Sequence, residues 1–306
     1  MRKKVGWFHL ALRWKGSVVP EVLPRSLLCG LFGGFIYILH ISNIQVSLPI
    51  LGNVIPNIVL GLLLVFRTNT AYERFWEGRK AWGTLVNTVR NLSRQILVAI
   101  SETELGDRKQ KIAAVKLLPA YAIALKLYLR SERVNAELEA NLSPEQSQHL
   151  KTMNHPPLEI AFWISSYLQT QSQQAKLDRY QLSDMIQLLN EMVDVAGICE
   201  RILKTPIPLA YSIHLKQLLM IYCLSLPFQM VAELQWMTGA IVALISFTLL
   251  GIEEIGIQIE DPFGHDANDL PLDNICNAMM QNIKEFVVRI QVRMGMRDRL
   301  AGSIKA

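Results

Sequence analysis

The chain has 306 residues, 51% of them hydrophobic and 19% charged, with a mean hydropathy of +0.23; an ordinary soluble domain carries roughly 25% charged residues. The formal net charge is +5 and the pI about 9.0, but Arg2, Lys3, Lys4, Arg13, Lys15, Arg67, Arg74, Arg79 and Lys80 all lie outside the apolar runs. That is the pattern of a positive-inside membrane protein; with no aromatic-rich RNA signature and no zinc-finger spacing, nucleic acid is excluded as a partner.

Residues 1–17 read as an amphipathic N-terminal helix in which Trp7, Leu10 and Trp14 share a face, suited either to packing on the protein or to the membrane interface. No apolar core with a small-residue cleavage site follows, so the segment is not a cleavable signal. From Ser26 to Phe66 the only ionisable side chain is His40, and a bilayer core needs about 20 mostly apolar helical residues. Two spans fit: Ser26 to Ile41, extended backward by Val22 and Leu23, and Ile44 to Phe66, separated by Ser42-Asn43. The second contains Pro49, Gly52, Asn53 and Pro56. Proline breaks a helix, so this span is expected to be interrupted and to restart near Pro56. Broken helices survive in lipid where protein or water satisfies the freed backbone, which points to a segment that lines a cavity.

From Arg67 to Lys204 the chain is charged with helical periodicity. Capping-box patterns at Ser101-Glu102-Thr103-Glu104 and Ser143-Pro144-Glu145-Gln146 predict helix starts, and Asn154-His155-Pro156-Pro157 predicts a break between helices. A second apolar pair follows, Pro208 to Val231 and Leu234 to Ile252, joined by a short turn at residues 232–236. His214 and Lys216 can snorkel to the interface. The expected fold class is therefore all-α and integral to a membrane. Its regions are residues 1–17; a first transmembrane pair, 18–75, with the pore helix; a helical aqueous region, 76–204; a second pair, 205–255; and an acidic loop with a C-terminal helix, 256–306. Four spans place both termini on one side, and the basic N-terminus makes that side the cytoplasm or its stromal equivalent. Cys29, Cys199, Cys223 and Cys276 are isolated and read as buried free thiols.

Ile58, Leu62 and Phe66 recur every four residues, on one helix face; Val54 begins that face and Thr70 ends it in a polar residue. Such a stripe serves lipid contact or helix packing in most proteins, and a ring of them would make an apolar neck able to gate by dewetting. Chemistry of other classes lacks its residues: there is no HExxH, no CxxC and no GxxxxGK[ST], His40 and His214 are single, and no inverted repeat of the transporter kind is visible. An enzyme is not expected.

The segment Phe66-Arg67-Thr68-Asn69-Thr70-Ala71-Tyr72-Glu73-Arg74-Phe75-Trp76 and the run Ile259-Glu260-Asp261-Pro262-Phe263-Gly264-His265-Asp266-Ala267-Asn268-Asp269-Leu270-Pro271 resemble the bestrophin family, nearest its bacterial, cyanobacterial and chloroplast branch. Arg13-Trp14-Lys15-Gly16-Ser17, Cys199-Glu200-Arg201-Ile202 and Thr205-Pro206-Ile207-Pro208 match in the same order. The resemblance implies a homopentamer with one central pore, in the plasma (inner) or thylakoid membrane, in contact with lipids, that conducts chloride or other monovalent anions. A bacterial member passes cations, so cation selectivity stays the alternative. It places the neck on Ile58, Leu62 and Phe66, with Leu62 where animal members are aromatic. It places a second constriction on Ser183, with Leu182 and Ile186 one step away, although relatives carry a bulky aliphatic residue there. It matches Gln258, Asp261, Asp266 and Asp269 to a calcium clasp, against a plain reading of the loop as helix caps and ion pairs. The gating stimulus stays open; His155 and His265 titrate in a useful range.

Overall fold

The computed structural model describes residues 6–48, 54–104 and 106–304, and all regular structure among them is helical. The helices are α1 (Trp7–Ala11), α2 (Val19–Ile41), α3 (Val54–Ala99), α4 (Asp107–Leu129), α5 (Ala136–Glu139), α6 (Pro144–Leu150), α7 (Pro156–Gln173), α8 (Arg179–Lys204), α9 (Leu209–Leu234), α10 (Thr238–Glu260) and α11 (Leu272–Ile304). They form two compact units, one from Met1–Trp76 and Thr205–Asp269, the other from Glu77–Lys204 and Leu270–Ala306.

The first unit holds α1, α2, the start of α3, α9 and α10. By length and composition, Val19–Ile41 and the stretch Leu209–Glu260 are apolar enough to cross a membrane. α2 and α10 cross so closely that glycine is required at the contact. A Cβ on Gly239 would stand 2.8 Å from the Gly30 carbonyl oxygen, and one on Gly33 would stand 3.1 Å from the Gly239 Cα. Small residues let backbones approach where lipid removes the hydrophobic drive between helices. α9 and α10 are joined by a tight corner in which Gln235 takes φ +46°, as the short turn predicts.

Three expectations change here. The N-terminal helix is confined to Trp7–Ala11; the chain then turns, with the Ser17 hydroxyl donating to the Trp14 carbonyl and Gly16 at φ +79°. Trp7 and Trp14 are exposed at 74% and 58%, while the Leu10 side chain and Arg2, Lys3 and Lys4 lie outside the described residues. Residues 44–48 are not helical, and the expected break at Pro49, Gly52 and Asn53 lies outside the described residues. The apolar part of α3 runs from Val54 to Phe66; at 1.5 Å per residue that is about 20 Å, short of the roughly 30 Å hydrocarbon core. The start of α4 is not at Ser101 but at Asp107, whose Oδ2 accepts from the Thr103 and Glu104 amides at 2.8 and 2.9 Å. The box at Ser143 and Gln146 does form.

The second unit packs the end of α3 with α4–α8 and α11. Trp82, Leu85, Val89, Leu92 and Ile96 make a buried stripe on α3, answered by Ile160, Ile164 and Leu168 on α7 and Met185, Leu189 and Met192 on α8. α4 is apolar enough to be mistaken for a membrane span, but 78% of its apolar window is buried in the protein, the state of a helix that is apolar all round at the centre of a bundle. Cys199 and Cys276 are buried and unbridged; burial, with the nearby carboxylates of Glu77 and Glu200, pushes the Cys199 thiol up to about 12, and burial does the same to Cys276. Both are thus inert thiols.

The glycine contact gives one expectation. Gly239→Ala should lower stability by about 1–3 kcal/mol, the usual cost of overpacking, whereas Gly34→Ala, whose Cβ would meet nothing within 4 Å, should not; melting of the detergent-purified protein compares them. The second unit gives another. Lys176 Nζ lies 2.7 Å from Asp107 Oδ1, and this contact, with the two backbone amides, holds the Asp107 carboxyl well below the usual carboxylate range. A depressed carboxyl stabilises the fold above its unfolded pKa, about 4, and that contribution is lost as pH falls toward its native value. Melting measured from pH 5 down to pH 2.5 should fall more steeply for the wild type than for Asp107→Asn.

Candidate functional site

α3 has two apolar faces in its first turns, and packing decides which one is covered. Leu60 and Leu64 are buried against Leu215 and Leu219 of α9, and the Tyr211 hydroxyl donates to the Leu63 carbonyl at 2.9 Å. Two residues along a helix rotate the side chain by about 200°, so this packing turns Ile58, Leu62 and Phe66 outward. They are 56%, 52% and 62% exposed, with Val59 and Val65 flanking them at 48% and 54%. The covered face continues from Leu60 and Leu64 through Arg67 to Ala71, which are 4% and 0% exposed. Arg67 thus leaves the outward stripe, as its position one residue from Phe66 implies.

A buried guanidinium needs a counter-charge. Arg67 Nη2 donates to Glu260 Oε2 at 2.6 Å, and Glu260 Oε1 accepts from the Ile207 amide at 2.9 Å. Arg74 Nε donates to the Glu260 carbonyl at 3.1 Å, and its Nη1 to the Thr205 carbonyl. One carboxylate thereby joins α3, the C-terminal end of α10 and the Thr205–Pro208 strap. Glu260 was missed by the sequence reading; the signal was present, an arginine at a core-facing position of an apolar helix that demanded an acid elsewhere. Glu253 and Glu254, 4% and 6% exposed on α10, were missed too; Arg25 Nη1 lies 3.0 Å from Glu254 Oε2.

Ser183 sits on α8, exposed, on a polar face with Gln187 and Asn190, while Leu182 and Ile186 are half-buried beside the buried Met185 and Leu189. That face presents no apolar ring material at Ser183.

The acidic loop is folded on itself. Asp261 Oδ1 accepts from the Phe263 amide at 3.2 Å, and Asp269 Oδ2 accepts from the Asp266 amide at 2.7 Å. A Cβ on Gly264 would stand 2.7 Å from Asp269 Oδ2, so a larger residue there would push the Asp269 carboxylate off the Asp266 amide. The Asn268 amide nitrogen donates to Gln258 Oε1 at 2.8 Å, and the Gln258 amide nitrogen donates to Glu21 Oε2 at 3.1 Å. Calcium takes six to eight oxygens turned toward one point. Here the oxygens of Gln258, Asp261 and Asp269 face the chain's own donors, and no group of three or more His, Cys, Asp or Glu among the described residues is placed to hold a metal. The Asp261 and Asp269 side chains cap the turn, and Gln258 ties it to the start of α2.

The sequence matches the profile described as "Bacterial/Fungal Bestrophin protein" over residues 1–285. It is 58% identical over 283 residues to a voltage-dependent anion channel-forming protein of Nostoc sp., covering 92% of each chain, and 54% identical over 281 residues to one of Synechocystis sp., again over 92% of each. Among solved structures it resembles a bacterial bestrophin homologue from Klebsiella pneumoniae at a TM-score of 0.77 and 28% identity, over 88% of this chain and 98% of that one. A full-length profile, close relatives of equal length and a solved neighbour of the same all-helical fold agree: the chain is an integral membrane protein of the bestrophin family.

Proposed function

We propose that the protein is a passive anion channel, a homopentamer with four membrane crossings per subunit whose neck is the ring of Ile58, Leu62 and Phe66. The observation that carries the reading is the three-residue stripe, more than half exposed, on a helix whose reverse face is already closed by α9. A lone protomer leaves that stripe unpartnered. Copies arranged about an axis would turn it into a narrow apolar tube, which resists wetting and so gates. Both close relatives are named as voltage-dependent anion channel-forming proteins, which supports anions over cations. The start of α3 at Val54 adds to this, because a helix N-terminus carries partial positive charge and free N–H groups. The short apolar part of α3, from Val54 to Phe66, fits the interrupted crossing expected from Pro49 and Pro56. Four crossings return the chain to the side on which it began, the cytoplasmic or stromal side by its basic N-terminus.

In planar bilayers, purified protein in asymmetric KCl should reverse near the chloride potential; reversal near the potassium potential would replace this reading with a cation channel. Leu62→Ala widens the ring and removes apolar surface, and should raise unitary conductance about twofold or more with the anion preference kept, since a dewetting barrier falls steeply with radius; unchanged current would remove Leu62 from the neck. Because the acidic loop caps itself, currents in calcium and in chelator should coincide, and Asp266→Asn with Asp269→Asn should leave that comparison unaltered.

A further inference from the structure

Beside Phe66, at the end of the outward stripe, lies an open cavity of about 360 Å³, walled by Phe66, Arg67, Thr70, Pro206, Pro208 and Tyr211. Its size is at the lower end of the roughly 300–1,000 Å³ usual for small-molecule sites, and much more than a bare halide or phosphate would fill. Its walls are of two kinds. Phe66, the two prolines and the ring of Tyr211, whose hydroxyl is held by the Leu63 carbonyl, are apolar. At the other end is Arg67, 4% exposed, with Nη2 committed to Glu260. Its Nη1 is buried and has no hydrogen-bond partner among the described residues. An orphaned buried N–H costs about 1–3 kcal/mol, more when charged, so a partner in that position stabilises the site. Arg74 also lines the cavity, where it donates to the Glu260 and Thr205 carbonyls.

We propose that this cavity binds an amphipathic monoanion, its carboxylate or phosphate oxygen accepting from Arg67 Nη1 and its apolar body lying against Pro206, Pro208 and Tyr211. The same head-and-body chemistry is offered by a soluble aromatic carboxylate and by an anionic lipid. Phe66 belongs both to the cavity wall and to the outward stripe, so an occupant presses on the third residue of the neck and changes the current; this last step rests on the channel reading, whereas the binding does not.

Calorimetric titration of the detergent-purified protein with benzoate, and with benzamide as its uncharged isostere, separates charge from shape. Benzoate should bind at least about tenfold more tightly, the worth of one charge-assisted hydrogen bond, and Arg67→Lys, which loses the fork, should reduce benzoate affinity by a similar factor. Thr70→Phe fills the cavity from an exposed position without touching the Arg67–Glu260 pair and should abolish binding while melting and eluting like the wild type. Repeating the titration in nanodiscs of phosphatidylcholine with and without phosphatidylglycerol identifies the source. Loss of benzoate binding in phosphatidylglycerol makes the occupant a lipid headgroup, and retention makes it a soluble carboxylate. Equal binding of benzamide and benzoate by the wild type, or undiminished binding by a folded Thr70→Phe, overturns the proposal. Protein that binds benzoate but passes no current would remove the channel reading and leave this site standing.

Discussion

The rotation of α3 about its own axis is fixed by a buried charge. Arg67 can be buried only where Glu260 waits for it, and breaking a buried pair by removing one partner typically costs about 3–5 kcal/mol. Leu64 and Leu60, one and two turns earlier on the same face, pack on Leu215 and Leu219. Apolar packing alone is forgiving: a helix that is leucine-, valine- and isoleucine-rich on every side could turn by one position and still bury comparable area. The ion pair admits no such slip. Once it is made, Ile58, Leu62 and Phe66 have only one direction to face, and the Thr205–Pro208 strap is drawn in because Glu260 and Arg74 also hold its backbone.

The neighbouring constraint is steric. α2 and α10 touch through Gly30, Gly33 and Gly239 at distances that leave no room for a methyl group. In a bilayer, lipid competes as well as leucine does for apolar surface, so close backbone approach supplies the association instead. The crossing seats α10, and α10 presents Glu260 at its last residue. The electrostatic lock on α3 thus depends on Gly239, some twenty residues earlier on the same helix, and on the α2 glycines it meets.

Much of this was legible in the sequence, for identifiable reasons. The apolar helices stand out because lipid demands length and uniform hydropathy together. That Ile58, Leu62 and Phe66 share one face follows from spacing, and the box at Ser143 and Gln146 from a four-residue rule. What escaped was set by tertiary context. Ser101 carries the same box pattern, but Asp107 outcompeted it, accepting two amides while pairing with Lys176. α4 has the hydropathy of a span, although the charged run from Arg67 to Lys204 already sets it in an aqueous helical region. The acidic loop has the residue types for calcium; whether carboxylates converge on an ion or bend back to their own amides is a matter of backbone path. Glu260 was written in the sequence, but its partner lies 193 residues away.

The same pair bears on selectivity. Arg67 lies one residue from Phe66, where an unpaired guanidinium would place a full positive charge at the end of the outward stripe. Its side chain instead points to the covered face and is balanced by Glu260. On the channel reading, the neck then carries no formal charge, and preference for anions has to come from partial charges such as the N–H groups at the start of α3. Weak, fixed dipoles beside an apolar constriction favour ions that shed water easily over those that bind a charged site tightly. Conduction requires that an ion leave as readily as it enters, and a neck whose nearest strong charge is turned away and neutralised meets that requirement. On the same channel reading, Ser183, exposed on a polar face of α8, adds no second apolar barrier, and the proposed neck of Ile58, Leu62 and Phe66 is where an ion would give up its water.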